Sequence, residues 1–157
     1  MGILASRDGA IWVANDGSLD RISNGTVSSI RRSDGLPGDQ VTSLLEDRAG
    51  NMWVGVDDRL FLFKDGRFRR LPEPNHEPLG MVVGMAEDID GNIWAECASK
   101  PRKLVRVRDF RVQEQFPEAL LLVFVIAPAL ILMVALDLLH YLDRLQSEIG
   151  IGFARRA

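Results

Sequence analysis

RDGAIWVA (residues 7–14), DRAGNMWVG (47–55) and DIDGNIWAE (88–96) are three versions of one phrase, and they decide the fold. Trp12, Trp53 and Trp94 stand 41 residues apart twice over, and Gly9, Gly50 and Gly91 keep the same interval, as do Ile11, Met52 and Ile93. Internal repetition is the reading for a period so strict and so long.

The ruler extends in both directions. Upstream, Ile3, Leu44 and Met85 stay in phase, Val41 matches Val82, and Glu46 matches Glu87. Downstream, Leu19–Ile22 matches Leu60–Phe63, then Leu104–Val107 after a slip of three residues. That slip places an insertion in the loop after Trp94.

The second copy is the clearest as local structure. Val41–Glu46 reads as a strand, ended by the turn residues of Asp47–Gly50. Asn51–Val56 is the next, with Met52 and Val54 on one face and Trp53 and Gly55 on the other, because side chains alternate along a strand. Asp57-Asp58 turns the chain into an apolar strand, Leu60–Phe63. The hairpin signal Lys64-Asp65-Gly66 then leads to Arg67–Leu71, which mixes basic and apolar residues as an exposed outer strand does. A four-stranded antiparallel sheet repeated about every 40 residues is a β-propeller blade, which buries its faces only against neighbouring blades. The tryptophans are then inter-blade packing, and Gly50 and Gly91 are turn residues at positive φ.

The expected fold class is an all-β repeat of about three blades, at about 1–38, 39–79 and 80–116, forming an incomplete propeller. Three blades do not close a ring, for which about four is the practical minimum. The expectation is therefore a fragment, a truncated product or a subunit that needs further blades or a second chain. Ala119–Leu136 contains no charged residue, and the segment 117–142 reads as a C-terminal transmembrane helix, with 143–157 as a short polar tail. Pro128 would kink a soluble helix but is tolerated in a membrane. His140 fits the headgroup level better than a phosphoacceptor role.

Composition narrows the functions. A net charge of −3 over 157 residues supplies no field for nucleic acid, so no nucleic-acid partner is expected. Cys97 is the single cysteine, which excludes an intrachain disulfide and a cysteine-based zinc site. The first residues lack the basic start and apolar run of an export signal, so either the protein is not exported or an upstream part is missing.

The sequence offers no catalytic or metal-binding constellation. Asp88-Ile89-Asp90-Gly91-Asn92 has alternating oxygen donors, but its glycine falls at the fourth place of a calcium loop and no twelfth-place glutamate follows, so a turn is expected. The neighbouring carboxylates Glu46-Asp47 and Glu87-Asp88 diverge across a strand. His76 lies in the proline-rich loop LPEPNHEP (71–78), read as an inter-blade connector with no positioned nucleophile. No cofactor, metal ligand or catalytic residue is expected, and the ligand-binding residues are left open.

The string GLPGDQVTSLLEDRAGNMWVGV (35–56) resembles the two-component regulator propeller repeat, whose usual phrase runs from Gly-Leu-Pro to glycine-asparagine-apolar-tryptophan-apolar-glycine. The third copy departs from it at Glu96 and the first at Ala14. The resemblance implies the periplasmic sensor region of hybrid or sensor histidine kinases, with carbohydrate-derived extracellular ligands. It implies a ligand-sensing module attached to the bacterial inner membrane, with the lipid bilayer as partner and no kinase motif in this chain. Basic residues from Lys100 to Arg111 precede the apolar segment, which alone would keep the repeats in the cytoplasm. The resemblance places them in the periplasm, and that orientation is the expectation. The alternative is a non-catalytic scaffold whose blades complete a propeller with a partner chain.

Overall fold

The alternation of short apolar runs and turn residues becomes twelve strands in the computed structural model, which describes residues 2–117. β1 (Gly2–Ala5), β2 (Ile11–Asn15), β3 (Ser18–Ser23) and β4 (Thr26–Ile30) form the first sheet. β5 (Val41–Glu46), β6 (Met52–Val56), β7 (Arg59–Lys64) and β8 (Arg67–Arg70) form the second. β9 (Val82–Glu87), β10 (Ile93–Cys97), β11 (Lys103–Arg108) and β12 (Arg111–Pro117) form the third. Each sheet is an antiparallel meander with its strands in chain order. The apolar segment of 117–142 beyond Pro117, with His140, and the tail 143–157 lie outside the described residues. Among the described residues no helix is long and apolar enough to cross a membrane.

Register confirms the 41-residue ruler and its slip. Trp12 sits opposite Arg21, Trp53 opposite Leu62 and Trp94 opposite Arg106, so the third sheet carries three extra residues between β10 and β11. The hairpins between third and fourth strands follow from residues that accept left-handed backbone. Asn24-Gly25 (φ 49° and 74°) and Asp65-Gly66 (φ 50° and 74°) are the pairs such two-residue turns favour. The third sheet breaks the pattern: Asp109-Phe110 holds a phenylalanine at φ 56°.

The sheets have unlike faces, and this sets the packing. Trp12, Ala14 and Leu19 of the first sheet pack against Met52, Val54, Val56 and Phe61 of the second, with Leu44, Phe63 and Phe68 beside them. Trp53 and Leu60 of the second pack in the same way against Ile93, Ala95, Val105 and Val107 of the third, with Met85 and Val112 beside them. Each sheet thus offers a tryptophan face forward and a receiving face backward. β6 is buried along its whole length because it serves both interfaces. Trp94, on the forward face of the third sheet, is only half-buried and stacks on Phe116 at 5.8 Å. Gly55 marks a close approach of the second and third sheets, since a Cβ there would lie 3.2 Å from Cβ of Val82 and 2.5 Å from Oγ of Ser43.

Candidate functional site at the connector end of the second and third sheets

One end of the sheets is built by the turns between first and second strands, and its polar groups are occupied with holding the fold. In the second sheet the Asp47 carboxylate accepts from the Asn51 backbone N–H (2.8 Å), the Asn51 side-chain amide (2.9 Å) and Nε1 of Trp53 (2.9 Å). Asp88 repeats this with Asn92 and with Nε1 of Trp94 at 2.8 Å, and also accepts from the Asp90 N–H. The segment 88–92 is therefore a turn whose carboxylate is spent on its own donors. Trp94, Asn92 and backbone N–H groups hold Asp88 well below the ordinary carboxylate range. Burial pushes Asp47 up, but the Trp53 and Asn51 hydrogen bonds outweigh it and leave a net lowering. In the first copy Ser6 and Ala10 replace the aspartate and asparagine, and Asp8 pairs with Arg21 instead (2.8 Å), a bond that together with those from Ala10 and Ser6 lowers its pKa to about 2.

The paired acids do diverge. Glu46 accepts from the Arg7 N–H at 2.8 Å while Asp47 turns to its own tryptophan. The Arg7 guanidinium donates to the carbonyls of Arg48 (2.7 Å) and Asp47. One period later Glu87 accepts from the Arg48 N–H (2.7 Å), and the Arg48 guanidinium donates to the carbonyls of Ile89 (3.0 Å) and Asp88 (2.7 Å). An arginine clip thus fastens each sheet to the next. A depression of about 460 Å³ lies beside the second clip, and the Asp47, Arg48 and Glu87 groups in its walls already serve these contacts.

The other end is less committed. There the turn between the second and third strands of one sheet meets the connector to the next: the Gly17 N–H donates to the Asp39 carbonyl (2.5 Å), and the Gly80 N–H to the Asp58 carbonyl (3.0 Å). Beside the second of these contacts lies an open depression of about 320 Å³ lined by Asp58, Glu77, Leu79, Gly80, Ser99, Lys100 and Lys103. The three-residue insertion builds one wall of it. The Ala98 N–H donates to the Met81 carbonyl (2.8 Å) and the Met81 N–H to Oγ of Ser99 (3.1 Å), so the inserted loop is knitted to the connector. Gly80 has φ 92°, and a Cβ there would fall 2.4 Å from Oγ of Ser99, so only glycine fits. Asp58 pairs with Arg59 at 2.7 Å, and Nζ of Lys103 donates to Gln115 at 3.0 Å.

This depression presents carboxylate, ammonium and hydroxyl groups on a backbone frame, which suits a ligand with many hydroxyl or mixed polar groups. His76, exposed in the connector, does not line it. Sequence reasoning named none of its residues as binding groups. The available signal was the slip after Trp94, since insertions in repeat proteins gather in loops on one face, often the binding face. Among the described residues no group of three or more His, Cys, Asp or Glu side chains is placed to hold a metal ion.

The family model for "Two component regulator propeller" matches residues 35–58. Solved structures share the fold. The extracellular domain of a protein assigned as a hybrid two-component system from B. thetaiotaomicron is similar with a TM-score of 0.52 and 23% identity, over 59% of this chain and 14% of that one. A catalytically inactive virginiamycin B lyase from Staphylococcus aureus, solved with quinupristin, has a TM-score of 0.58 and 20% identity, over 73% of this chain and 39% of that one. A protein assigned as a gluconolactonase has a TM-score of 0.50 and 15% identity, over 73% and 45%. This chain spans less than half the length of each, and no curated protein matches it. The matched segment runs from the connector through β5 and β6 to the turn at Asp57-Asp58, so the chain carries a two-component regulator propeller repeat within a stack of three blades.

Proposed function

We propose that the chain is the ligand-sensing propeller module of a two-component signal transduction system, held at the bacterial inner membrane by the apolar segment 117–142 with its blades in the periplasm. The match at residues 35–58 carries this reading, and the likeness to an extracellular two-component domain supports it. The depression at the connector end is the sensing surface, with Asp58, Glu77, Ser99 and Lys100 recognising a hydroxyl-rich, carbohydrate-derived ligand. It binds without turning over, and the signalling output lies with a histidine kinase outside these residues. Two proteins of similar fold are a lyase and an assigned gluconolactonase, so the same experiment must watch for product.

The test is calorimetry of the full chain in detergent micelles against a panel of charged and neutral oligosaccharides, with product analysis on the same samples. Saturable binding that falls at least tenfold in the Asp58→Ala/Lys100→Ala variant is expected. Binding unaffected by that variant removes the assigned surface, and turnover replaces the sensory reading with an enzymatic one. Protease protection in spheroplasts checks the orientation: the blades should be digested from outside the cell.

A further inference from the structure

The three copies depart from their own repeat at the two positions where the stack ends, and the departures match each other. In the clip, the donor position holds Arg7, Arg48 and then Ile89, which is 88% exposed. The acceptor position holds Ala5, Glu46 and Glu87, and Ala5 is exposed. An arginine arriving at the first sheet would find no carboxylate, and a glutamate arriving at the third would find no arginine. An isoleucine arriving at Ala5 would find an apolar partner.

The faces behind these positions agree. The receiving face of the first sheet repeats the register positions that are wholly or partly covered in the other two: Ile3, Ile11, Ile22 and Val27 stand where Leu44, Met52, Phe63 and Phe68 meet the first sheet. In the first sheet they are uncovered, with Ile3 73% and Val27 63% exposed. The forward face of the third sheet offers the half-buried Trp94, stacked on Phe116, in the position from which Trp12 and Trp53 enter their neighbours.

We propose that the occupant of the first sheet's open face is the tryptophan face of the third sheet of a second copy of this chain. The contact is head to tail, with Ile89 of one copy against Ala5 of the other. Made twice about a two-fold axis, it sets the three described blades of each copy in one ring of six, within the roughly four to eight blades such rings hold. This pairing rests on the blade stack and not on the sensing role, so failure of either leaves the other standing.

Two measurements on the full chain in detergent micelles decide it. Sedimentation should give a protein mass of two chains. Val27→Asp and Ile3→Asp, at residues already exposed within one chain, should each weaken the pair at least tenfold without changing the far-ultraviolet spectrum. Ala5→Glu with Ile89→Arg in one chain recreates the clip and should tighten the pair, and Ala5→Glu with Ile89→Glu should dissociate it. In the second measurement, Ala5→Cys chains are mixed with Ile89→Cys chains and treated with a short bismaleimide. A cross-link in the mixture and in neither chain alone is expected, with the wild type, whose Cys97 is fully buried, as blank. A single-chain mass at all concentrations, a filament series, or cross-links within one variant alone would each overturn the proposal.

Discussion

Nε1 of Trp53 donates to the carboxylate of Asp47 across 2.9 Å, so the residue that ends one strand anchors the indole that fills the next interface. Asp47→Ala removes this acceptor and two asparagine contacts, leaving a buried N–H unpaired. The expected loss is about 1–3 kcal/mol of stability, read by urea denaturation followed by circular dichroism. An unchanged midpoint would show that the brace is incidental.

The same carboxylates set the acid limit. Asp8, Asp47 and Asp88 all have folded pKa values below their ordinary ones. A lowered carboxylate stabilises the fold above its unfolded pKa, and that contribution disappears as pH falls through the folded value. Their share of stability should therefore be complete at neutral pH and decline below about 4. The Asp8 part is lost between 3.8 and about 2. Urea midpoints at pH 7, 4.5 and 3 check this, and Asp47→Asn/Asp88→Asn should flatten the drop between the last two.

At position 110 the usual order of glycine and alanine should reverse. Phe110 sits at φ 56°, held by its ring against Trp53 (6.0 Å) and beneath the Arg69 guanidinium (4.1 Å). Both Phe110→Gly and Phe110→Ala lose the ring, but only glycine relieves the left-handed backbone. Phe110→Gly should be more stable than Phe110→Ala by about 1 kcal/mol. Thermal midpoints of the two variants, measured side by side, decide the sign.

Gly55→Val should separate the second and third sheets. Its side chain would enter the space held by Ser43, Thr42 and Val82, at an expected cost of about 1–3 kcal/mol. Hydrogen exchange should accelerate in β6 and β9 while the interface of the first and second sheets stays protected. Uniform acceleration would mean that the sheets do not respond separately.

Cys97 should be silent until the fold opens. Burial pushes its thiol up to about 11, so at pH 8 it lacks both thiolate and access. Its reaction with a chromogenic disulfide should track unfolding in urea. Rapid labelling of the native chain would contradict its placement in the core.

Much of the architecture was legible because strand alternation and turn chemistry are local. Met52 and Trp53 divide between two interfaces as alternation requires, and Asp65-Gly66 makes the hairpin its residues favour. The slip after Trp94 announced the longer β10–β11 turn. The clips were less visible: Arg7 and Arg48 are in phase, as are Glu46 and Glu87, with which they pair, but the other guanidinium partners are backbone carbonyls, which leave no mark in a sequence. The depression was hidden for a related reason, because Asp58, Gly80 and Ser99 come from three separate loops that sheet packing and hydrogen bonds to backbone groups bring together.

The forward tilt of the tryptophans gives the molecule a built-in optical gauge. Trp12 and Trp53 each pack on the sheet after their own, so the emission of Trp12 reports whether the second sheet is seated and that of Trp53 reports on the third. Trp94, half-open, is left to register whatever comes to rest beyond β10.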